Sequence, residues 1–376
     1  ADNSNWTDFT VQGNVANNTV STDPDLVSIN VSAIAANEPT VYIKIGWSAR
    51  VYFWMIDDMM LRVGPDNDLK LTQVYYDQWF DTLGNALNLA DSQSTLYYTQ
   101  TPLRQAQADQ VFFGGEINNN GGLDQSNATL TAKAHDGTNY VYQQSNSMAS
   151  LVSGETDTII IQSGFSPVAK GTYAIEFNTS SDATDENPSN NLWQDNIIVG
   201  DSIYARDNED QANSGFWWYG ASQPFEVGNM IEIFTQDTAT SISYYNYTNA
   251  GNGIGVTGNV ISLNLYDATG FGNFTPLASH SFYSVTSADE NAWITASIPE
   301  TPLPPGGYVV TMESYSDQCY ASSQSAPPLT GYIDTDNGNT NWYYTSRIPW
   351  IRLNTKPKSQ SCTLSSSGIA TALSCS

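Results

Sequence analysis

Apolar and polar residues alternate with a period of two along several short stretches of the chain. Leu26–Ser32, Thr40–Trp47, Thr129–Ala134, Gly171–Phe177 and Asn259–Tyr266 all read this way. Successive side chains of a strand leave opposite faces, so such alternation predicts strands with one face in a core and the other in water. Each run is bounded by Gly, Pro, Asn or Asp, which tolerate or preset the backbone angles of turns. Helix is expected only over Thr82–Asp91 and Leu103–Ala108. Short strands at this spacing predict an all-β chain of sandwiches or jelly rolls.

Polar, turn-rich clusters mark where one unit gives way to the next. Gly64-Pro-Asp-Asn-Asp68 separates the strand-like Trp54–Leu61 from a new run at Leu69–Val74. Asp185-Glu-Asn-Pro-Ser-Asn-Asn191 precedes a strand expected at Asn196–Val199, and a further unit starts at Asp201. After Arg352–Lys358 the chain becomes Ser-rich to Ser376, as a linker or the start of a further segment would. No fixed-period repeat is visible.

Composition narrows the function classes. Charged residues make up 13% of 376, about half the usual ~25%. Acidic residues number 38 against 12 basic ones, a formal net charge of −26. With 22 Tyr, 13 Phe and 10 Trp the chain can build cores, unlike a disordered acidic tail. The negative charge repels phosphate backbones, so nucleic acid and anionic membranes are disfavoured partners. No apolar run approaches the ~18 residues of a membrane span. The start at Ala1 carries no charged and apolar leader, so any signal peptide is expected to have been removed, and a secreted, extracellular chain fits best. Three cysteines, Cys319, Cys362 and Cys375, give no metal-binding spacing; Cys362 and Cys375 enclose a short loop and are candidates for a disulfide.

Three stretches resemble surface and secreted proteins of the Bacteroidetes that leave the cell by type IX secretion. Asp25-Leu-Val-Ser-Ile-Asn-Val-Ser-Ala-Ile-Ala35, through Trp47 to Phe53-Trp-Met-Ile-Asp-Asp58, looks like the C-terminal half of a jelly roll related to meprin-type adhesion modules. Gly115-Glu-Ile-Asn-Asn-Asn120, with the turn at residues 185–191, is similar to the immunoglobulin-like domain of cell-adhesion-related bacterial proteins. Asp201-Ser-Ile-Tyr-Ala-Arg-Asp-Asn208 opens what resembles a second jelly roll closing near Ile351-Arg-Leu353. The resemblance implies tandem β-sandwiches: part of a jelly roll over 1–63, an immunoglobulin-like sandwich over 64–200, a jelly roll over 201–354 and the Ser-rich segment 355–376. The sorting domain that usually closes such proteins is missing, so the chain is a fragment, a processed product, or similar to the modules alone.

Little in the sequence supports catalysis. No GxSxG, HExxH, P-loop or dinucleotide-binding glycine pattern occurs. The two histidines, His135 and His280, are too few for a histidine zinc site, and His135 sits in the turn signal His-Asp-Gly-Thr. Glycoside hydrolysis needs two carboxylates facing each other across a groove. Asp57 and Asp58 cannot provide that, since neighbours on a strand point to opposite faces. The resemblance gives Asp57 and Asp58 another use, as ligands of a structural Ca²⁺ with backbone carbonyls, with Asp207, Asp210 and Asp317 as further candidates; ordinary turn hydrogen bonds are the competing role. No other cofactor is implied.

Aromatic clusters offer contacts to sugars or to protein partners, because flat rings stack on pyranose faces. Phe216-Trp-Trp-Tyr219 and Trp342-Tyr-Tyr344 are the candidates, with Trp217, Tyr219, Trp342 and Tyr344 as contact residues. Core packing competes for at least half of each cluster, since alternate residues face inward. Thr82, Thr158, Ser202 and Thr238 each follow Asp and precede an apolar residue, which resembles the Bacteroidetes O-glycan acceptor pattern. Together these features favour a non-enzymatic extracellular β-domain array, a segment of a surface adhesin or filament that attaches through protein partners, self-assembly or cell-surface glycans. The competing reading is a set of carbohydrate-binding accessory modules of a secreted hydrolase. The few strands expected in 1–63 imply that polypeptide outside the chain completes that unit, a neighbouring chain being favoured.

Overall fold

In the computed structural model, the described residues are 6–9, 29, 31–35, 38–46, 59, 63–78, 98–207, 215–218, 225–268, 274–315, 317–325, 331–334, 342–345, 347–357, 362–365 and 372–375. They are nearly all β. The first group of strands is β1 (Leu69–Gln78), β2 (Gln100–Pro102), β3 (Val111–Asn119), β4 (Gln125–His135), β5 (Tyr140–Leu151), β6 (Thr156–Phe165), β7 (Gly171–Ser180) and β8 (Leu192–Gly200). These form a three-stranded sheet, β1-β3-β6, and a five-stranded sheet, β2-β8-β7-β4-β5.

Buried residues from the two sheets, Leu71, Phe113, Ile117 and Ile161 on one side and Leu130, Ile175, Phe177 and Ile197 on the other, make one core. Phe113 lies at its centre, edge-to-face with Phe177 at 5.7 Å between ring centroids and stacked on Phe165 at 6.4 Å. The inward row of β4 is Ala128, Leu130, Ala132 and Ala134, and its small residues leave room for those rings. Gly115 serves the same packing, for a Cβ there would sit 3.0 Å from Leu71 Cδ1 and 3.1 Å from Leu130 Cδ1.

The second group begins with β9 (Ile203–Tyr204), β10 (Gly215–Trp218), β11 (Glu226–Ile233), β12 (Asp237–Asn246), β13 (Val260–Asp267), β14 (Thr275–Ser284), β15 (Ala292–Leu303) and β16 (Gly306–Ser314). It continues with β17 (Cys319–Ser325), β18 (Gly331–Asp334), β19 (Tyr343–Thr345), β20 (Arg347–Pro349) and β21 (Ile351–Thr355). One sheet runs β10-β17-β12-β21-β9, with β15 paired to β12 and β20 to β17; the facing sheet runs β14-β13-β16-β11-β18-β19. Val227, Ile231, Leu263, Val310 and Met312 from the latter meet Ile242, Tyr244, Ile294, Ile351 and Leu353 from the former in a second core. A separate two-stranded ribbon, β22 (Cys362–Ser365) with β23 (Ala372–Cys375), sets Cys362 directly across from Cys375.

The two sandwiches share a polar junction. Helix α1 is the single turn Ser32–Ala35; α2, Leu103–Ala108, forms where helix is expected and carries Arg104 and Gln105 into the junction. Arg104 donates through Nε to Asp237 Oδ2 at 3.0 Å and through Nη2 to Oδ1 at 2.6 Å. Tyr204 adds a hydroxyl to the same carboxylate at 3.0 Å. Gln105, fully buried, accepts from the N–H groups of Phe234 and Thr235 and donates to the Thr235 carbonyl. Tyr98 enters the second core, where its hydroxyl accepts from the Glu232 N–H at 2.7 Å.

The strands expected at Thr129–Ala134, Gly171–Phe177 and Asn259–Tyr266 fall in β4, β7 and β13, and the one at Asn196–Val199 is the end of β8. Thr40–Gly46 differs. It alternates as a strand should, yet it forms none, and Tyr42, Ile43 and Ile45 stand exposed. Alternation yields a strand only where a neighbour completes the hydrogen-bond ladder and a second layer covers the apolar face, and no such neighbour pairs with it among the described residues. Most of Leu26–Ser32 and all of Thr82–Asp91 lie outside the described residues; Ser32 itself opens α1.

Candidate functional site

On β11, β13 and β16 the apolar residues face the second core, which turns the alternate positions outward: Glu226 and Gly228, Ser262, Asn264 and Tyr266, and Thr311 and Glu313. Register then decides what meets what. Glu226 lies directly opposite Glu313, and Asn264 opposite Thr311. Like charges facing each other across a ladder destabilise a sheet, so this pair calls for another explanation than stability.

Glu226 Oε1 accepts from Asn264 Nδ2 at 2.9 Å, from the Tyr266 hydroxyl at 2.9 Å and from Thr311 Oγ1 by a short hydrogen bond. The same Asn264 amide donates to Glu313 Oε2 at 3.2 Å, so one side-chain nitrogen bridges both carboxylates. Gly228 makes the approach of Thr311 feasible, since a Cβ there would overlap the Val310 carbonyl oxygen and come within 2.6 Å of Thr311 Cγ2. Loss of surrounding water pushes the Glu226 carboxyl above its ordinary range; the donors from Asn264, Thr311 and Tyr266 oppose this, and the charge of Glu313 adds to it. Burial also raises the Tyr266 phenol, helped by the neighbouring Glu226 charge.

Aromatic rings flank the carboxylates at both ends. Trp342 packs edge-to-face on Tyr266 at 5.9 Å and lies 5.1 Å from Phe274, which is itself 6.4 Å from Tyr266. At the other end Phe282 and Tyr315 stand 69% and 45% exposed, with ring centroids 5.2 Å apart. Phe282 sits at a bulge where β14 slips against β13, with φ of +57° and its N–H donated to Ser262 Oγ at 3.1 Å. A bulky residue at positive φ costs on the order of 1–3 kcal/mol and persists where the surroundings impose it. Between the aromatic ends a shallow pocket of about 270 Å³ is lined by Asn264, Tyr266, Glu313 and the β14 stretch Pro276–Ser279.

The chemistry available here is recognition. Glu313 on one wall can accept hydrogen bonds from hydroxyl or amide donors, while Glu226 lies buried beside it; an amide and a phenol complete a polar strip, and the exposed rings of Phe282 and Tyr315 offer stacking faces. Glu226 and Glu313 project from neighbouring strands on the same side of the sheet.

Of the residues singled out in the sequence, Trp342 lies in this site. Trp217 and Tyr344 are placed by backbone register alone, opposite Tyr320 and Tyr332. Tyr219, Thr82, Asp57 and Asp58 lie outside the described residues. Asp207, a lesser calcium candidate, is engaged otherwise: Arg352 donates to it through Nε at 2.9 Å and Nη2 at 2.5 Å, while its guanidinium lies 4.0 Å over the Trp293 ring. Among the described residues no group of three or more His, Cys, Asp or Glu side chains is arranged to hold a metal. Thr158, Ser202 and Thr238 are half-buried on the surface; the Ser202 and Thr238 carbonyls accept from Thr355 and Lys356 at the junction. His135 Nδ1 accepts from the Gly137 N–H within its own turn, and His280 meets the Ser297 carbonyl, so neither faces a nucleophile. Cys319 is buried, and burial pushes its thiol up to about 12. Glu226, Glu313 and Phe282 were not legible in the sequence as a site, because only register brings them together.

No family model matches the chain, and no curated protein does. Among solved structures, the CARDB domain of a Pyrococcus furiosus protein in complex with di-metal ions aligns at 14% identity over 39% of this chain and 100% of its own, with a TM-score of 0.24. A structure of carbohydrate-binding modules from the β-sandwich superfamily aligns at 11% identity over 74% of this chain and 100% of its own, with a TM-score of 0.20. Superpositions this loose transfer no site and no ligand. Among the described residues no helix is long and apolar enough to cross a membrane.

Proposed function

We propose that the chain is a non-enzymatic, extracellular β-sandwich array that attaches to surfaces by binding carbohydrate on the outer face of β13, β16 and β11. The observation that carries this reading is the Glu226–Glu313 pair, bridged by Asn264 and flanked by the partly buried Trp342 at one end and the exposed Phe282 and Tyr315 at the other. Carboxylates and amides select hydroxyl-rich ligands, and aromatic faces cover the apolar side of a sugar ring. A ligand hydroxyl donating to Glu313 would also offset the like-charge contact with Glu226.

A glycan array with the full chain tests the reading, followed by titration calorimetry on the best ligand. Binding is expected to weaken about tenfold for Trp342→Ala and for Tyr315→Ala, roughly 1.4 kcal/mol each, and more strongly for Glu313→Gln combined with Asn264→Leu. Release of reducing ends from the bound glycan is not expected. Absence of binding across the array, or binding indifferent to all these substitutions, would refute the proposal.

A further inference from the structure

In the first sandwich β5 closes the five-stranded sheet as an edge, paired among the described residues with β4 alone. Natural edge strands are blunted by lysine, proline, bulges or inward charges. Here the one such device is a bulge at the Tyr140 end of the strand. From Tyr140 to Gly154 the chain has no charged residue and no proline, and its pairing to β4 runs without a bulge from Tyr142 to Leu151. In a chain carrying a net charge of −26, a neutral strand of this length lets two copies approach without repulsion between the strands themselves.

The strand also mirrors itself about Ser145. Counting outward, its core-side residues read Tyr142 and Gln144 on one side, Asn146 and Met148 on the other. Its solvent-side residues read Val141 and Gln143 against Ser147 and Ala149. Antiparallel pairing on a two-fold axis through Ser145 therefore sets amide against amide, Tyr142 against Met148 and Val141 against Ala149.

The strand is held ready for this. The Tyr142 hydroxyl donates to the Ser163 carbonyl, Asn146 Nδ2 donates to the Ile160 carbonyl at 2.8 Å, and Ser145 Oγ is 2.8 Å from Thr131 Oγ1. Between β5 and β6 the sandwich stays open in a polar cleft of about 310 Å³, lined by Gln144, Ser145, Asn146, Ile161, Gln162 and Ser163.

We propose that β5 is a self-association edge: a second copy of this chain pairs its own β5 antiparallel about Ser145, joining the two five-stranded sheets into one and closing both clefts. The contact is isologous, so it yields a closed dimer rather than a fibre. It stands independently of the carbohydrate face. Since each copy carries the same net charge, added salt strengthens the dimer by screening.

Sedimentation equilibrium of the full chain over a concentration series, at low and at high salt, tests the proposal. A monomer–dimer equilibrium that tightens with salt is expected. Ser145→Lys, which sets two ammonium groups on the axis, is expected to weaken it at least about tenfold, with Ser145→Ala as the near-neutral control. Ser145→Cys, oxidised at concentrations where the dimer forms, is expected to give a covalent dimer through position 145, with circular dichroism confirming that the variant is folded. A chain that stays monomeric throughout, a dimer untouched by Ser145→Lys, or a cross-link that forms from Tyr140→Cys instead would overturn it.

Discussion

The two sandwiches treat cross-strand charge in opposite ways. In the first, Lys133 on β4 lies directly opposite Glu176 on β7, and the two form an ion pair at 2.8 Å on the solvent face. In the second, Glu226 lies opposite Glu313 with an asparagine amide between them. The first arrangement is what a solvated sheet face settles into, neutral overall and worth little. The second opposes folding, and burial of Glu226 makes it worse. The second face carries that cost beside exposed rings and a strained Phe282, whereas the first sandwich offers polar surface and an open edge.

Four measurements would break or sharpen this contrast. Phe113→Ala, which empties the centre of the first core, is expected to destabilise that sandwich by about 3–5 kcal/mol. Ligand binding on the second should survive wherever the protein remains folded; urea unfolding followed alongside calorimetry separates the two effects, and parallel loss would show that the sandwiches are not functionally distinct. Next comes Arg104→Ala, which leaves Asp237, only 3% exposed in its side chain, buried without its cation. A loss of roughly 3 kcal/mol is expected, with scanning calorimetry resolving two transitions where the junction previously coupled them.

The pH dependence of Glu226 should be smaller. Its folded-state value lies above the ordinary 4.5, so the folded protein holds this proton more tightly than the unfolded chain. The group therefore favours folding most below the ordinary value, and that contribution fades as pH rises towards the raised one. Glu226→Gln is expected to flatten this fall in a melting series from acid to neutral pH, and an unchanged slope would place the raised group elsewhere. The smallest effect belongs to Lys133→Ala, expected within about 1 kcal/mol because both partners of that pair keep part of their side chains in solvent. A loss of several kcal/mol there would erase the contrast.

Much of the fold can be read from residue patterns because the signal is local. Thr129–Ala134 and Gly171–Phe177 declare their strands by alternation, and the apolar phase of each names the residues that reach the core. Leu103–Ala108 shows itself as helix by the same kind of short-range reading. Thr40–Gly46 shows where that reading fails, because a pattern states what a segment would bury and not whether anything arrives to cover it. The site was legible only through Trp342, a conspicuous ring next to Tyr343 and Tyr344. Glu226 and Glu313 are two of 38 acidic residues and carry no local mark.

What the sequence by itself determined is therefore the class of chain: β-rich, acidic, without a recognisable nucleophile or metal motif, and with enough aromatic residues for more than one core. These follow from composition and from side-chain alternation, which depend on near neighbours alone. The tertiary structure decided the pairings. It set Glu226 against Glu313, brought Asn264 between them, twisted Phe282 outward at a bulge, locked Arg104 onto Asp237 and left β5 at an edge. Strand order and register are chosen by the packing of whole sheets, and a shift of one residue would turn each of these side chains to the other face.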